Sequence, residues 1–208
     1  MALFRCEACG AGLEVKAGSK IAYCPYCGMK QTLSQEAAKI LKTAAKIENL
    51  LKRGFMLLEE GEFKKADKYF DKVLDEEPEN GRAYFGKLMV RLKASDAKKL
   101  AAIMKSGDFS GKLLQRVLDF QPELIRDMFT EDYNRAVNLM NEEKYREAIK
   151  IFDSIGSYYH EASEKAEEIR NKFRPKREEA MRLFREEKYD EAHRIFDEVD
   201  YYFAKVRT

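Results

Sequence analysis

The chain has 208 residues, 45% hydrophobic and 37% charged, with 39 basic against 37 acidic side chains and a net charge of +2. That length allows one or two domains. The high charged share suits surface-rich helices rather than a large enzyme core, and the near-neutral balance gives no global pull toward nucleic acid or membrane. No apolar run approaches the ~20 residues of a membrane helix. Residues 100–104 are about as long as such runs get, and the N-terminus shows no secretory apolar region. No membrane partner and a cytoplasmic location are therefore expected.

The chain begins with its densest signal. All four cysteines, Cys6, Cys9, Cys24 and Cys27, form two Cys-x-x-Cys pairs separated by fourteen residues, and Gly10 and Gly28 follow the second member of each. A secreted disulfide scaffold would spread its cysteines through the fold. Two tight turns at this spacing instead predict a closed tetrahedral site for zinc, with iron as a substitute, the glycines supplying the positive φ of each turn. Residues 13–16 alternate as a strand, 17–19 carry turn chemistry and 21–23 read as the return strand. Phe4, Leu13, Val15, Ile21 and Tyr23 would give only a tiny core, so the metal is expected to hold the module together. Cys24-Pro25-Tyr26-Cys27 alone also reads as a redox dithiol, but the βαβ context of a thioredoxin-like fold is missing. Four thiolates leave no open position for a substrate, so the metal is expected to be structural.

Residues 4–33 resemble a zinc ribbon of the rubredoxin-like kind, and Cys24-Pro25-Tyr26-Cys27-Gly28 is similar to the second knuckle of rubredoxins and of rubrerythrins. The resemblance raises an electron-transfer reading through iron. In rubrerythrin-like proteins that iron serves a di-iron bundle built with Glu-x-x-His motifs. Here the residues three before His160 and His193 are Ser157 and Asp190. No such motif exists, and both histidines are expected to be solvated.

From Thr32 onward the pattern is helical. Thr32-Leu33-Ser34-Gln35 reads as a capping box, and Ile40, Leu41, Ala44, Ile47, Leu51, Phe55 and Leu58 form one face of a helix over about 35–58. A motif then recurs. Gly54, Ala136 and Ala180 are each followed by Leu three positions later, by Ala twelve positions later and by Phe four beyond that. Small residues mark where two antiparallel helices approach closely; the Phe fills the space before the next pair. Between the first and second copies, residues 98–105 and 112–120 read as short helices flanking a loop over 106–111. Pro122 and Pro175 each stand at the first turn of a further helix.

These pairs resemble tetratricopeptide repeats. Residues 47–80 match best, through Leu50, Gly54, Leu57, Ala66, Phe70 and Pro78. The later crossings are 44 apart and the gap from Gly54 to Ala136 is 82, so the repeats are irregular. The whole is similar to a group of bacterial proteins that join an N-terminal zinc ribbon to degenerate TPR-like repeats. The expected architecture is mostly α: a zinc ribbon over 1–33 and a TPR-like helical-hairpin solenoid over 34–208, with an irregular insertion at about 94–128.

No catalytic set emerges: there is no Ser-His-Asp arrangement, no spare cysteine and no phosphate loop. The leading expectation is a non-enzymatic scaffold that grips a protein or peptide on its helical surface. Residues 87–116 carry eight Lys or Arg against two Asp, which keeps a nucleic-acid-associated reading open as the less favoured alternative. Electron transfer is the third. The last repeat ends with Tyr201, Tyr202, Phe203 and Val206 where a polar cap is usual. Either a longer natural chain or self-association through that end is expected.

Overall fold

The structure, a computed structural model, describes residues 4–15, 21–107 and 110–203, with side chains described as far as Val199. It divides into two compact units, 1–93 and 94–208. Among the described residues there are three strands and nine helices, and no helix is long and apolar enough to cross a membrane.

The first unit opens with a small antiparallel sheet in the order β1 (Glu14–Val15), β2 (Ile21–Tyr23), β3 (Lys30–Thr32). Ala22 lies opposite Val15 and Gln31, with Ile21 paired to Thr32 and Tyr23 to both Glu14 and Lys30. The turn read over 17–19 lies outside the described residues. Side chains alternate across a strand, and the smallest one on β2 faces inward. Ala22 is fully buried with Leu33 and Ala37, flanked by Phe4, Leu13, Val15 and Leu41. Ile21 and Tyr23, expected inside, stand 55% and 46% exposed on the other face.

Helix α1 (Gln35–Glu59) follows at once, and its first turn completes the ribbon core through Ala37. Its cap is not the Thr32 box. Thr32 is engaged in β3, and Ser34 caps the helix by accepting from the Ala37 amide at 3.1 Å. Helices α2 (Phe63–Glu76) and α3 (Gly81–Leu92) pack in succession. Their joint is one ring. Phe70, fully buried on α2, lies between Gly54 of α1 and Gly86 of α3. A Cβ at Gly54 would come within 2.7 Å of that ring, and one at Gly86 within 2.3 Å. Only hydrogen fits at either place.

The second unit holds α4 (Ala97–Ser106), α5 (Lys112–Phe120), α6 (Glu123–Asn141), α7 (Tyr145–Ile155), α8 (His160–Arg185) and α9 (Tyr189–Phe203). Asp96 caps α4 through the Lys99 amide at 2.8 Å. The Tyr158 hydroxyl donates to the Met104 and Gly107 carbonyls, both at 3.1 Å, and its ring stacks on Phe129 at 5.7 Å, tying α4 to the link between α7 and α8. Pro122 immediately precedes α6, as its fixed φ favours.

Pro175 does not start a helix. It lies inside α8, which runs unbroken for 26 residues. A mid-helix proline removes one hydrogen bond and costs ~3 kcal/mol. Packing on both sides of it outweighs that cost. The first half of α8 buries Ala162, Ala166, Ile169 and Phe173, and the second half buries Ala180 and Leu183. Helix α7 packs on α8, and α8 packs on α9. The wide 44-residue spacing goes with the length of α8, whose 26 residues exceed by about three and a half turns the roughly 13-residue first helix that a 34-residue repeat allows.

Three turns join the pairs α1–α2, α6–α7 and α8–α9, and they carry the same hydrogen bonds. The amides of Glu62, Lys144 and Lys188 donate to the carbonyls of Leu57, Leu139 and Leu183 at 2.8, 2.9 and 3.0 Å. The residue before each donor has positive φ: Gly61 (76°), Glu143 (60°) and Glu187 (62°). This is the left-handed helix ending that satisfies otherwise orphaned carbonyls. The residues read as small crossings, Gly54, Ala136 and Ala180, are all buried, as are Ala66, Ala148 and Ala192. Phe70 and Phe152 are fully buried, while Phe196 of the last pair is only half-buried. The side chains of 201–203 and all of 204–208, on which the expectation about the chain's end rests, lie outside the described residues.

Candidate metal centre

The four cysteines come together. Their sulfurs all lie within 4.8 Å of one another. Cys6 Sγ is 3.6 Å from Cys27 Sγ, and Cys9 Sγ is 3.6 Å from Cys24 Sγ, so the close pairs run across the knuckles. These are not disulfides, whose sulfurs bond at about 2.0 Å. They match a tetrahedron instead, since metal–sulfur bonds of ~2.3 Å put neighbouring sulfurs about 3.8 Å apart.

Each knuckle is built alike. The Gly10 amide donates to the Cys6 carbonyl at 2.8 Å, and the Gly28 amide to the Cys24 carbonyl at 3.0 Å. The Cys6 and Cys24 amides donate onward to the Ala11 and Met29 carbonyls at 2.7 and 2.8 Å. Gly10 and Gly28 take φ values of 72° and 73°, the left-handed region that closes such turns. Cys6 and Cys24 face inward, Cys9 and Cys27 outward. Tyr26, at the tip of the second knuckle, is 83% exposed.

Gln31 ties the first knuckle to β3, and nothing in the sequence points to it. From β3 its Oε1 accepts from the Glu7 amide at 3.0 Å, and its Nε2 donates to the Arg5 carbonyl at 3.4 Å. A short polar triplet gives no strand pattern, so both β3 and this latch come only from the pairing with β2.

Backbone amides set the chemistry of the sulfurs. The Cys27 amide, then that of Tyr26, hold the Cys24 thiol down at about 7. The Met29 amide favours the Cys27 thiolate too, but the neighbouring Cys24 and Cys9 outweigh it and push Cys27 up to about 12. At Cys9 the Ala11 amide is likewise overcome by Cys24 and burial, and the thiol is raised. Crowded thiols resist sharing negative charge until a cation arrives. Amides aimed at the sulfurs, a preformed tetrahedron and mutual repulsion between thiolates all fit a bound metal ion. All four positions belong to the protein, which leaves none for a substrate.

The other residues singled out in the sequence lie apart from this centre. His160 begins α8, with Nε2 3.4 Å from Glu164 Oε1 and a side chain 84% exposed. His193 is exposed on α9. The basic run of 87–116 is divided between the two units. In the first, Lys87 reaches Asp67 at 2.7 Å and Asp71 at 2.6 Å, which together raise its pKa against the opposing effect of burial. In the second, Lys105 pairs with Asp132 at 2.6 Å, while Lys98 and Lys99 are exposed.

No family model matches the chain, and neither a curated protein nor a solved structure matches it.

Proposed function

We propose that the protein is a non-enzymatic interaction scaffold, in which TPR-like helix pairs carry a rigid ribbon closed by structural zinc. The observation that supports it most is the stack Gly54–Phe70–Gly86. Two glycines 32 positions apart grip one aromatic ring, which is how successive pairs of a solenoid lock together. The three identical turns extend the same plan to the second unit. Stacked pairs present long, continuous helix faces suited to holding another polypeptide. The ribbon adds an exposed apolar edge, with Tyr23, Tyr26 and Met29 at 46%, 83% and 43% exposure. Zinc is the preferred ion because a closed four-thiolate tetrahedron suits it and needs no redox role.

Photo-crosslinking in the cell that makes the protein tests this reading. A crosslinker at Tyr26 or Met29, on the exposed ribbon edge, is expected to capture a defined protein. Metal analysis of the purified chain is expected to give one zinc per molecule and no visible colour. Red protein with bound iron would sink the zinc assignment. Salt-sensitive nucleic-acid binding that disappears when Lys98 and Lys99 are replaced, with no protein crosslinked, would replace the scaffold with the nucleic-acid reading.

A further inference from the structure

Two helices of nearly equal length, α1 with 25 residues and α8 with 26, each open a helix pair. Each packs its second half on the helix that follows, around Gly54 or Ala180. Their first halves differ. On α8, Ala162, Ala166, Ile169 and Phe173 stand 18, 14, 11 and 7 positions before Ala180, and all four are buried on the helix that α7 packs against. On α1 the same offsets before Gly54 give Glu36, Ile40, Thr43 and Ile47. These four line an open groove of ≈ 690 Å³. Ile40 there is 52% exposed.

The complementary face also recurs. Helix α7 meets α8 with Tyr145, 7% exposed, while Phe152, fully buried two turns on, packs its ring on Tyr133 of α6 at 5.8 Å. The Tyr145 ring stands edge-on to Phe173 at 5.3 Å, with Lys172 Nζ 4.4 Å above it. Forty-four residues later, α9 carries Tyr189 and Phe196 at the same places. Tyr189 is 49% exposed and Phe196 half-buried. On α1, the positions of Phe173 and Lys172 are held by Ile47 and Lys46. The residues of one internal contact thus recur, partly exposed, on α1 and on α9, where Lys46 pairs with Glu76 at 2.6 Å and Tyr189 stands edge-on to Phe184 at 5.2 Å.

We propose that the chain associates head to tail, α9 of one copy seating on the first half of α1 of the next as α7 seats on α8. Tyr189 then packs against Ile47 and Lys46 of the neighbouring copy, and Ile40 loses its exposure. The two faces are different surfaces, so the contact is heterologous: it closes into a ring, of which a reciprocal dimer is the smallest, or continues as a filament. Self-association holds or fails independently of which other protein the scaffold engages. The groove carries Glu36, Glu48, Glu76 and Glu77 against Lys39, Arg82 and the adjoining Lys46, which pairs with Glu76, and α9 carries Asp190, Glu191, Asp197 and Glu198 against His193 and Arg194, with Glu198 paired to Lys176. Acidic meets acidic, so screening by salt strengthens the contact. Nucleic-acid binding would respond in the opposite sense.

Sedimentation of the metal-loaded full chain between about 1 and 300 µM reads this directly. The average mass is expected to rise at least twofold above the 24.2 kDa monomer, and to rise further with added salt. Ile40→Glu spoils the groove and Tyr189→Glu spoils α9, so each variant alone stays monomeric. Mixed in equal amounts they form a one-to-one dimer and nothing larger, since each still offers one intact face. A misfolded variant could not complement in this way. Independently of either variant, a photo-crosslinker at Tyr189 in a mixture of isotope-labelled and unlabelled chains is expected to join residues 40–47 of a different chain. The proposal is overturned if the wild-type chain stays monomeric throughout, whether its groove is empty or filled by a foreign helix. It is equally overturned if the crosslinks stay within one chain, or if both folded variants mix without pairing.

Discussion

The ribbon and the helix pairs of the first unit hold together by opposite means. The ribbon buries only Ala22 and Leu33, with Ala37 of α1, besides its two inward cysteines, Cys6 and Cys24. The helices bury Phe70 so tightly that neither neighbouring glycine can gain a carbon. Where apolar area is scarce, a point ligand must supply the free energy. Where it is ample, shape decides which sequences fit. Lesions in the two regions should therefore differ in kind. Loss of a bound metal should melt one region and spare the other, while a single methyl group in the helices should spread through the stack.

Removing the metal is the harshest break in that comparison. Structural zinc sites supply on the order of 10 kcal/mol or more, far beyond what so small an apolar core can replace. Chelation, or Cys24→Ser, is expected to erase the dispersed amide resonances of residues 4–33 while helical circular dichroism falls only slightly. A matching loss of helix would show that α1 depends on the ribbon it grows from. Acid should ease the loss of metal. Cys27 at about 12 and the raised Cys9 both still hold protons at pH 7, whereas Cys24, at about 7, is half ionised. The metal must displace at least those two protons, so its affinity falls by about 100-fold or more for each pH unit lost. Competition with a chromophoric chelator at pH 6, 7 and 8 reads that slope; a flat profile would contradict it.

Gly86→Ala is the helical counterpart. Its new carbon would sit 2.3 Å from the Phe70 ring, against 2.7 Å for Gly54→Ala. Overpacking of this kind costs ~1–3 kcal/mol, with Gly86→Ala expected at or above the upper end and Gly54→Ala below it. Denaturant titration measures both. Adding Phe70→Leu to Gly86→Ala should recover part of the loss, because the ring edge is what the methyl meets. If the double variant is as unstable as the sum of the two singles, the wedge is not the cause.

Pro175→Ala should move stability the other way. It restores an amide donor in mid-helix, where proline costs ~3 kcal/mol relative to alanine. The carbonyl it would reach, that of Asn171, belongs to an exposed residue, where solvent competes for it. The net gain is therefore expected nearer 1 kcal/mol, read as a higher Tm. A loss instead would mean that α7 and α9 both fit α8 only when it bends at the proline.

What the sequence discloses follows the range of the interactions involved. The cluster of four thiols is legible because cysteine spacing is a local property, and so are the crossings at Gly54, Ala136 and Ala180, which repeat with their leucines. Local pattern misleads wherever a distant partner decides. Thr32 looks like a cap, but β2 claims it and leaves Ser34 to cap α1. Ile21 and Tyr23 look like core, but the narrow space beneath β2 takes only Ala22. Pro175 looks like a start, but α7 and α9 clamp the helix on both sides of it. Gln31 carries no signal because its partners, Glu7 and Arg5, lie more than twenty residues away.

The smallest expected effect tests the backbone plan that the pairs share. In the first turn the left-handed position is Gly61, but in the other two it is Glu143 and Glu187. A side chain there costs roughly 1 kcal/mol relative to glycine. Neither glutamate recovers the cost as an ion-pair partner in its own turn: the pairs there are Glu142 with Lys144 at 2.7 Å and Glu186 with Lys188 at 3.0 Å. Glu143→Gly and Glu187→Gly should therefore each stabilise the second unit by about 0.5–1 kcal/mol, slightly offset by the extra freedom glycine gives the unfolded chain. Gly61→Ala should destabilise the first unit by a similar amount. Opposite signs at equivalent positions, measured in the same denaturant series, would mark one turn written three times. Equal signs would mean that the glutamates hold contacts which offset their strain.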